Sequence, residues 1–429
     1  MVQQTRGRSN ISPDVRRLPH KAARLLEHLR RRGASVVPTT STPPWTPQQR
    51  ESAIQRDPHQ SFMAERDFVY AEMAEFCNQG YWLVLPYSAV QHLPNLRILP
   101  LGVVPQRNRR PRLIVDFTFS GVNQDTVPLA PREAMQFGRA LQRVCRKIVR
   151  ANPRYGPVHM AKIDIADGFY RVWVQHTDIP KLGVALPVSS GEQWVAFPLA
   201  LPMGWVESPL HFTSLTETAC DLANQTLREP LSSPAAHRLE RVAATAPPSD
   251  ALPPPPTLSA VRLLSDRDRT PTAYTDVSVD NFLLLAQTQH KQQQVLRAAL
   301  HSIDAVFQPL APDDPPTRQE LASSVKKFLK GDASWSTFKW VLGWDINSQT
   351  MTIHLPPHRA DRLREVLQWL RPPPQAAFSH QVASNARRAS VHVVGAAGNA
   401  RLLFYATTRP QPQRLAPRTP HAVNIRRGC

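Results

Sequence analysis

The sequence predicts an α+β fold, because short apolar runs typical of antiparallel strands are interspersed with longer amphipathic helical patterns. Residues 101–105 and 113–117 are strand-like and flank the basic segment 106–112, which predicts a hairpin with positive charge near its tip. Helical periodicity is clear over residues 208–227 and 288–307, where apolar side chains recur on one stripe. With 429 residues, 41% of them hydrophobic, the chain is long enough for one large core or two to three modest ones.

The remaining elements are assigned in chain order from the same periodicities. A helix over residues 62–78 ends near Gly80 and leads into a strand over residues 81–86. Further predictions are a helix over 134–151, a strand over 158–165, two strands over 338–346 and 351–355 around the turn 347–349, and a helix over 357–370.

Three parts of the chain are predicted to lie outside a packed core. Residues 1–60 are rich in Arg, Pro, Ser, Thr and Gln, which predicts a disordered basic tail apart from a helical pattern over 14–32. Residues 373–429 contain no acidic residue and predict a second basic, poorly ordered tail. The proline-rich residues 229–270 predict an extended surface insertion.

The net charge of +19 is concentrated at the two ends of the chain. Residues 1–50 carry nine Arg and one Lys against two acids, and residues 371–429 carry nine Arg and no acid. The middle of the chain is therefore nearly balanced. Attraction to nucleic acid and an ordinary solvated, Arg-rich composition both account for this pattern.

The cysteine pattern and the hydropathy profile exclude several classes of protein. The four cysteines are far apart and form no CxxC pair, so neither a zinc site nor a disulfide framework is indicated. This pattern favours a reducing intracellular setting, cytoplasmic or nuclear. No uncharged apolar run reaches about 18 residues, so no membrane association is expected.

Three segments place polar residues within apolar strands or turns, where a functional site is expected. They are residues 162–171, 201–212 and 276–286. Each also has an ordinary structural interpretation. The Asp in the first is compatible with a helix N-cap, the second with a loop entering a helix, and the third with a hairpin.

Two of these segments carry carboxylates that raise a charge problem. Asp164 ends a predicted strand with only Lys162 nearby in sequence, and Asp280 lies beside Asn281 in a predicted hairpin turn. A buried carboxylate is costly to ionise unless a cation or a hydrogen-bond donor meets it. Shared divalent metal ions are one solution, and Mg²⁺ suits carboxylates that act together with substrate phosphates.

The order and spacing of these segments resemble the palm motifs of reverse transcriptases, the RNA-directed DNA polymerases of LTR and related retroelements. The resemblance covers about residues 62–370. Asp164 with Phe169 five positions later is similar to the first motif, residues 201–204 with Ser208 and Pro209 to the second, and residues 279–281 to the third.

Three further matches strengthen the resemblance. Arg112, together with the strand-like residues 113–117 and Asn123, resembles the fingers strand that contacts the incoming triphosphate. Lys326 and Lys327 resemble the fourth palm motif, and residues 341–344 resemble the primer grip. Six matches in order make an accidental similarity in an ordinary structural domain improbable.

The resemblance implies a right-hand polymerase fold with fingers, a palm of antiparallel strands backed by helices, and a partial thumb. Fingers and palm would occupy residues 61–355, and the thumb or connection would begin over residues 356–372. The implied partners are an RNA or DNA template-primer and deoxynucleoside triphosphates. The oligomeric state is left open.

The resemblance also implies roles for individual residues in two-metal nucleotidyl transfer with Mg²⁺ or Mn²⁺. Catalysis would fall to Asp164, Asp280 and Asn281, with metal ligands from Asp164, Ile165 and Asp280. Nucleotide binding would involve Arg112, Asp167, Gly168, Phe169, Met203, Gly204 and Lys326. The primer grip would comprise Leu342, Gly343 and Trp344.

Two departures from the family pattern bear on activity. The third motif usually ends in two aspartates, and here Asn281 takes the second place, which removes one negative charge from the metal site. Met203 stands where retroviral relatives carry Gln. A different register, with Asp276 after Tyr274 as the motif, and a catalytically inactive nucleic-acid-binding remnant both remain open at this level.

Overall fold

The computed structural model describes residues 2–39, 43–106, 109–119, 121–130, 137–186, 191–229, 234–245, 269–308 and 321–369. Within these ranges the chain is a mixture of α-helices and mainly antiparallel sheets. No helix among the described residues is long and apolar enough to cross a membrane. The predicted tail 373–429 and most of the proline-rich segment lie outside the described residues.

Helices and strands alternate along the chain. The helices are α1 (Val2–Arg6), α2 (Ala23–Arg32), α3 (Pro47–Ile54), α4 (Gln60–Ala64), α5 (Arg66–Asn78), α6 (Tyr87–Val90), α7 (Val122–Asp125), α8 (Phe137–Arg150), α9 (Ser208–Arg228), α10 (Glu240–Thr245), α11 (Gln289–Val306), α12 (Val325–Leu329) and α13 (Pro357–Trp369). The strands are β1 (Trp82–Pro86), β2 (Ile98–Leu99), β3 (Leu101–Gln106), β4 (Arg109–Val115), β5 (His159–Asp164), β6 (Gly183–Leu186), β7 (Trp194–Pro198), β8 (Ala273–Ser278), β9 (Asn281–Ala286), β10 (Phe338–Val341), β11 (Trp344–Asn347) and β12 (Thr352–His354).

The sheet that carries the predicted site has the strand order β5-β9-β8 and is antiparallel throughout. The central strand β9 is apolar on both faces, so each face requires cover. Phe282 and Leu284 pack towards α9 and α11, whereas Leu283 and Leu285 belong to a second cluster with α8 and the β10-β11-β12 sheet. This sandwich holds the ends of β5 and β9 at a fixed position.

The two other sheets are formed by β1 to β4, which precede β5 in sequence, and by β6 and β7, which lie between β5 and β8. One has the order β1-β7-β6-β2, and β3 and β4 form a separate hairpin. The predicted hairpin is confirmed, but its basic residues 109–112 belong to β4 and not to the loop. In a strand, alternate side chains share one face, so Arg110 and Arg112 point to the same side.

The predicted disorder of residues 1–60 is wrong for the described part of that segment. Ile11, Val15, Leu26 and Leu29 are buried in the main core. The Ser12 amide donates to the Val306 carbonyl at 3.0 Å, which ties this segment to the end of α11. The helical pattern predicted over residues 14–32 contains α2, and the apolar residues of α2, which recur three apart on one side, are buried.

The predicted surface insertion is also partly wrong. Residues 234–245, within that segment, include α10, where Leu239 and Ala243 are buried. Arg297 of α11 binds Glu240 through two nitrogens, at 2.9 to 3.0 Å. Residues 234–245 pack because they combine buried apolar side chains with this ion pair to α11. The proline run that follows them in sequence has a different composition.

Most of the other predicted elements are confirmed, with two breaks. The helix predicted over residues 62–78 is divided into α4 and α5 at Glu65. The strand predicted over residues 338–346 is divided into β10 and β11, because Leu342 and Gly343 both have positive φ and form a tight turn. The helices predicted over 208–227 and 288–307 correspond to α9 and α11.

Candidate active site

A cleft of about 1000 Å³ opens where β5 ends and the β8–β9 turn begins. It collects most of the residues that the sequence pattern predicted, although they come from five separate stretches of chain. The predicted residues that line it are Arg112, Asp164, Ile165, Asp167, Gly168, Phe169, Met203, Asp280 and Lys326. Gly204, Asn281 and the three predicted primer-grip residues are not part of its lining.

Asp164 is the most enclosed carboxylate of the cleft. It is the last residue of β5 and is only 4% exposed. Its Oδ2 atom forms an ion pair with Lys327 Nζ, and its Oδ1 atom is buried with no hydrogen-bond partner. An unpaired buried carboxylate oxygen is costly, so this atom is suited to coordinate a cation.

The surroundings of Asp164 raise its pKa to about 6. Burial is the main cause, and the negative charge of Asp280 adds to it. The Lys327 ammonium acts in the opposite direction. The coupling to Asp280 indicates that the two predicted carboxylates interact across the cleft.

Asp280 is held at the turn between β8 and β9. Its backbone carbonyl accepts a hydrogen bond from the Ile165 amide at 2.9 Å, next to Asp164. Its Oδ1 atom accepts a hydrogen bond from Asn281 Nδ2 at 2.7 Å. Asn281 itself is the strand partner of Asp164. Asn281 therefore contacts the carboxylate and not the cleft.

The alternative register with Asp276 as the site carboxylate is excluded by its contacts. Asp276 is 1% exposed and binds the Arg143 guanidinium through both oxygens, at 2.6 and 2.8 Å. The Tyr274 hydroxyl donates to the same carboxylate at 2.7 Å. Asp276 is thus fully occupied by structural partners, and it is not among the cleft-lining residues.

The turn after β5 presents backbone to the cleft in an uncommon conformation. Asp167 has φ 49° and ψ 38°, in the left-handed region. A Cβ atom on Gly168 would lie 2.7 Å from the Phe212 ring, so no larger residue fits without movement. Phe169 packs edge-on against Phe212, with ring centroids 5.4 Å apart. This packing positions the turn against α9.

Met203 lines the cleft, whereas Gly204 has a structural contact of its own. Gly204 has φ 102°, and a Cβ atom there would lie 2.7 Å from the Val115 carbonyl. Its own carbonyl accepts a hydrogen bond from Asn123 Nδ2 at 3.0 Å. The close approach that requires glycine here is therefore to strand β4.

Two charged residues that line the cleft, Lys327 and Arg110, were given no binding role by sequence reasoning. Lys327, the neighbour of the predicted Lys326, forms the ion pair with Asp164, and both lysines line the cleft. Arg110 lines the cleft beside Arg112 and forms an ion pair with Glu72 of α5. The two-residue period of a strand would have indicated Arg110. No sequence signal distinguishes the two adjacent lysines.

The predicted primer-grip residues lie on the β10–β11 turn, outside the cleft lining. Leu342 and Gly343 form the turn, and Leu342 and Trp344 pack against the cluster that includes α8. A Cβ atom on Gly343 would collide with the Arg359 guanidinium of α13. In this structure the turn is therefore in contact with α13.

The donor set of the cleft fits a hard divalent cation. Among the described residues no group of three or more His, Cys, Asp or Glu side chains is arranged as a metal site. The two carboxylates Asp164 and Asp280 are what the chain itself offers. Mg²⁺ commonly keeps several waters and takes only one or two carboxylates, completing its shell with substrate phosphates.

No protein-family model matches the chain, and no curated protein sequence matches it. Solved structures of foamy viral protease-reverse transcriptases are similar to it with low TM-scores and low sequence identities. The structure in complex with dsDNA gives a TM-score of 0.42 at 14% identity, covering 97% of this chain and 73% of that one. The structure in complex with an RNA/DNA hybrid gives 0.44 at 12%, covering 95% of this chain and 45% of that one.

A third structure, also with double-stranded DNA, gives a TM-score of 0.43 at 13% identity and covers 95% of this chain. The chain spans 58% of the length of that structure and less than half of the hybrid complex. At these TM-scores and identities, the similarity carries no conclusion about activity. The functional argument rests on the cleft.

Proposed function

We propose that the chain is an RNA-directed DNA polymerase of retroelement type, which transfers nucleotides from deoxynucleoside triphosphates to a primer 3′-hydroxyl. The observation that carries this proposal is the meeting of Asp164 and Asp280 in a cleft that Arg112 also lines. Carboxylates that can hold metal ions and a guanidinium that can bind transferring phosphates are typical components of a two-metal phosphoryl-transfer site.

Asp164 Oδ1, the Asp280 carboxylate and the Ile165 backbone are the groups of this chain that would hold Mg²⁺ or Mn²⁺. When bound, such ions supply Lewis-acid activation of the attacking hydroxyl and neutralise charge on the triphosphate. The unpartnered Asp164 Oδ1 supports this assignment, because a cation would satisfy it.

The other cleft residues supply positioning and charge. Arg112 and Arg110 share one side of β4 and would bind triphosphate oxygens with their guanidinium groups. Phe169, whose ring packs edge-on against Phe212, would contact the sugar of the nucleotide. Lys327 neutralises Asp164 Oδ2 in the unliganded protein.

The test is primer extension on an RNA template by the purified chain, with Mg²⁺ or Mn²⁺. Extension by the wild type that is abolished in Asp164→Asn supports the proposal. Asp361→Asn is the matched control, because Asp361 is an exposed carboxylate of α13 outside the cleft. Extension that survives in Asp164→Asn would reject the assigned site.

A catalytically inactive, nucleic-acid-binding protein is the second candidate, and two contacts favour it. Asn281 replaces a carboxylate and donates to Asp280 Oδ1, which removes both a charge and a lone pair from the cation site. Lys327 occupies Asp164 Oδ2. This candidate predicts binding of primer-template without extension, and no recovery of extension in Asn281→Asp.

A further inference from the structure

Helix α8 carries an uninterrupted stripe of positive charge that the cleft does not use. None of its 14 residues is acidic, and at 3.6 residues per turn its cations fall within an arc of about 100°. The opposite side is buried through Ala140, Leu141, Val144 and Ile148. The α8 basic stripe consists of Arg139, Arg143, Arg146, Lys147 and Arg150.

Only part of this charge is engaged within the protein. Arg143 binds the buried Asp276, and Lys147 lies 5.2 Å from the centre of the Tyr274 ring. Arg139 and Arg146 are exposed. Among the described residues, no acidic side chain lies within ion-pair distance of Arg139 or Arg146.

An Arg-rich composition does not by itself produce such a stripe, because other helices of this chain mix their charges. In α13, Arg362 pairs with Glu365 at 2.8 Å and Arg364 pairs with Asp361. In α2, Arg30 pairs with Glu27 at 2.8 Å.

Part of the arrangement in α8 is unfavourable for the helix on its own. Asp276 compensates the charge of Arg143, but Arg146 and Lys147 lie four and three residues before Arg150, where like charges destabilise a helix. A polyanion on the exposed side would relieve this repulsion.

The dimensions and location of the stripe fit a nucleic-acid backbone. Arg139 and Arg150 are 11 residues apart, which corresponds to about 16 Å along the helix. That length matches about five steps of one strand at 3.4 Å per step. The stripe also adjoins the sheet of the cleft, because Arg143 binds Asp276 in the strand that leads to Asp280.

We infer that the α8 basic stripe binds the phosphate backbone of the nucleic acid on which the cleft acts, at a second contact outside the cleft. The choice of polyanion rests on the proposed function. The contact is sequence-independent and electrostatic, so its strength depends steeply on salt.

The test is the binding of a short fluorescein-labelled RNA/DNA hybrid to the full chain, without divalent ions, between about 50 and 200 mM salt. Arg139→Gln/Arg146→Gln/Arg150→Gln is expected to weaken binding about ten-fold and to reduce the slope of log K against log salt by about 2 to 3. Arg16→Gln/Arg17→Gln/Arg24→Gln is the matched control, since it removes the same charge from exposed N-terminal positions.

An equal loss in both triple variants, or no loss in the α8 variant, would overturn the inference. So would a selective loss of binding to phosphatidylserine vesicles while hybrid binding is retained. If the triple variant fails to fold, phenylglyoxal modification of the wild type decides the matter. The hybrid must protect Arg146 more than Arg364, and equal protection counts against the inference.

The outcome is separable from that of the proposed function. Primer extension by the wild type with unchanged hybrid binding in the α8 variant would refute the stripe and leave the polymerase proposal standing. Stripe-dependent hybrid binding by a chain that extends no primer would support the stripe and remove the polymerase proposal.

Discussion

The Asn281 side-chain amide donates a hydrogen bond to Asp280 Oδ1 at 2.7 Å, and through this contact an uncharged residue orients one of the two cleft carboxylates. A second aspartate at this position could not make the bond. Its negative charge would instead repel the Asp280 carboxylate and would favour the binding of a cation. The hydrogen bond therefore stabilises the site when no cation is bound, and the absence of a second negative charge lowers the affinity for metal ions.

Asn281→Asp is accordingly expected to lower the melting temperature in EDTA and to raise the stabilisation gained from Mn²⁺. The added charge strengthens cation binding but lacks a partner when the cation is removed. Thermal melts of wild type and variant across a Mn²⁺ titration measure both effects. If the polymerase proposal holds, extension rises as well. In the control Asp164→Asn/Asn281→Asp, we expect neither the larger stabilisation by Mn²⁺ nor the rise in extension.

Asp164→Asn is expected to stabilise the metal-free protein at neutral pH. The folded-state pKa of Asp164, about 6, is above its ordinary value of 3.8, so the folded protein holds this proton more tightly than the unfolded chain. The ionised carboxyl therefore penalises the fold above about pH 6, and the penalty disappears below about pH 4.

The expected gain is about 3 kcal/mol in the free energy of unfolding at pH 7.5, measured by urea denaturation in EDTA. At pH 4 the wild type and the variant should be nearly equal. A variant that is less stable than the wild type at pH 7.5 would show that the Lys327 ion pair outweighs the desolvation of Asp164.

The pair formed by Arg143 and Asp276 is expected to be strongly coupled. Removing the guanidinium in Arg143→Met leaves a carboxylate that is 1% exposed without its main partner, which costs about 3 to 5 kcal/mol. Asp276→Asn relieves that buried charge, so the double variant should be clearly more stable than Arg143→Met. A double-mutant cycle by urea denaturation measures the coupling, and additive losses would contradict it.

Lys339 makes stability depend on pH at the alkaline end. Its side chain is 2% exposed and donates to the Gly331 carbonyl at 2.9 Å, yet burial lowers its pKa to about 8. Since the folded-state pKa is below the ordinary 10.5, the charged form penalises the fold fully below pH 8. The penalty fades as pH rises from 8 towards 10.5.

Compared with Lys339→Met, the wild type should therefore gain about 2 kcal/mol of unfolding free energy between pH 7 and 9.5. Other titrating groups cancel in the difference between the two proteins. Urea denaturation at the two pH values measures it. If this difference does not change with pH, the Lys339 ammonium stays charged over the whole range because the carbonyls that it contacts stabilise the charge.

The sequence predicted that Asp164, Asp280 and Arg112 lie together, but it did not predict the ion pair between Asp164 and Lys327. Asp164, Asp280 and Arg112 carry the sequence signal because each interrupts an apolar strand or turn, and the cleft gathers all three. Lys327 reaches Asp164 only because the Ser324 amide binds the Asp164 carbonyl at 2.8 Å and sets α12 beside β5. That is a long-range backbone contact, which no local pattern encodes.

The same limit explains the error at the N-terminus. Composition predicted disorder for residues 1–60, yet Ile11 and Leu26 are buried, because α9, α11 and their neighbours present apolar surface to them. Burial depends on the partner surface, which composition does not reveal. The role expected for Gly204 also changed for this reason, since its neighbour is the Val115 carbonyl.

Gly168→Ala tests how tightly the turn after β5 is packed. The added methyl would lie 2.7 Å from the Phe212 ring, which is fully buried against α11 and cannot withdraw freely. We expect a loss of about 1 to 3 kcal/mol in unfolding free energy, as for other overpacked cores. Phe212→Leu should restore part of this loss in the double variant although it is destabilising alone. Because the turn carries Asp167 and Phe169 into the cleft, the polymerase proposal also predicts that Gly168→Ala lowers nucleotide affinity in the presence of the hybrid. Unchanged stability in Gly168→Ala would mean that the turn can move away from α9, and the cleft would then be less rigid than its contacts indicate.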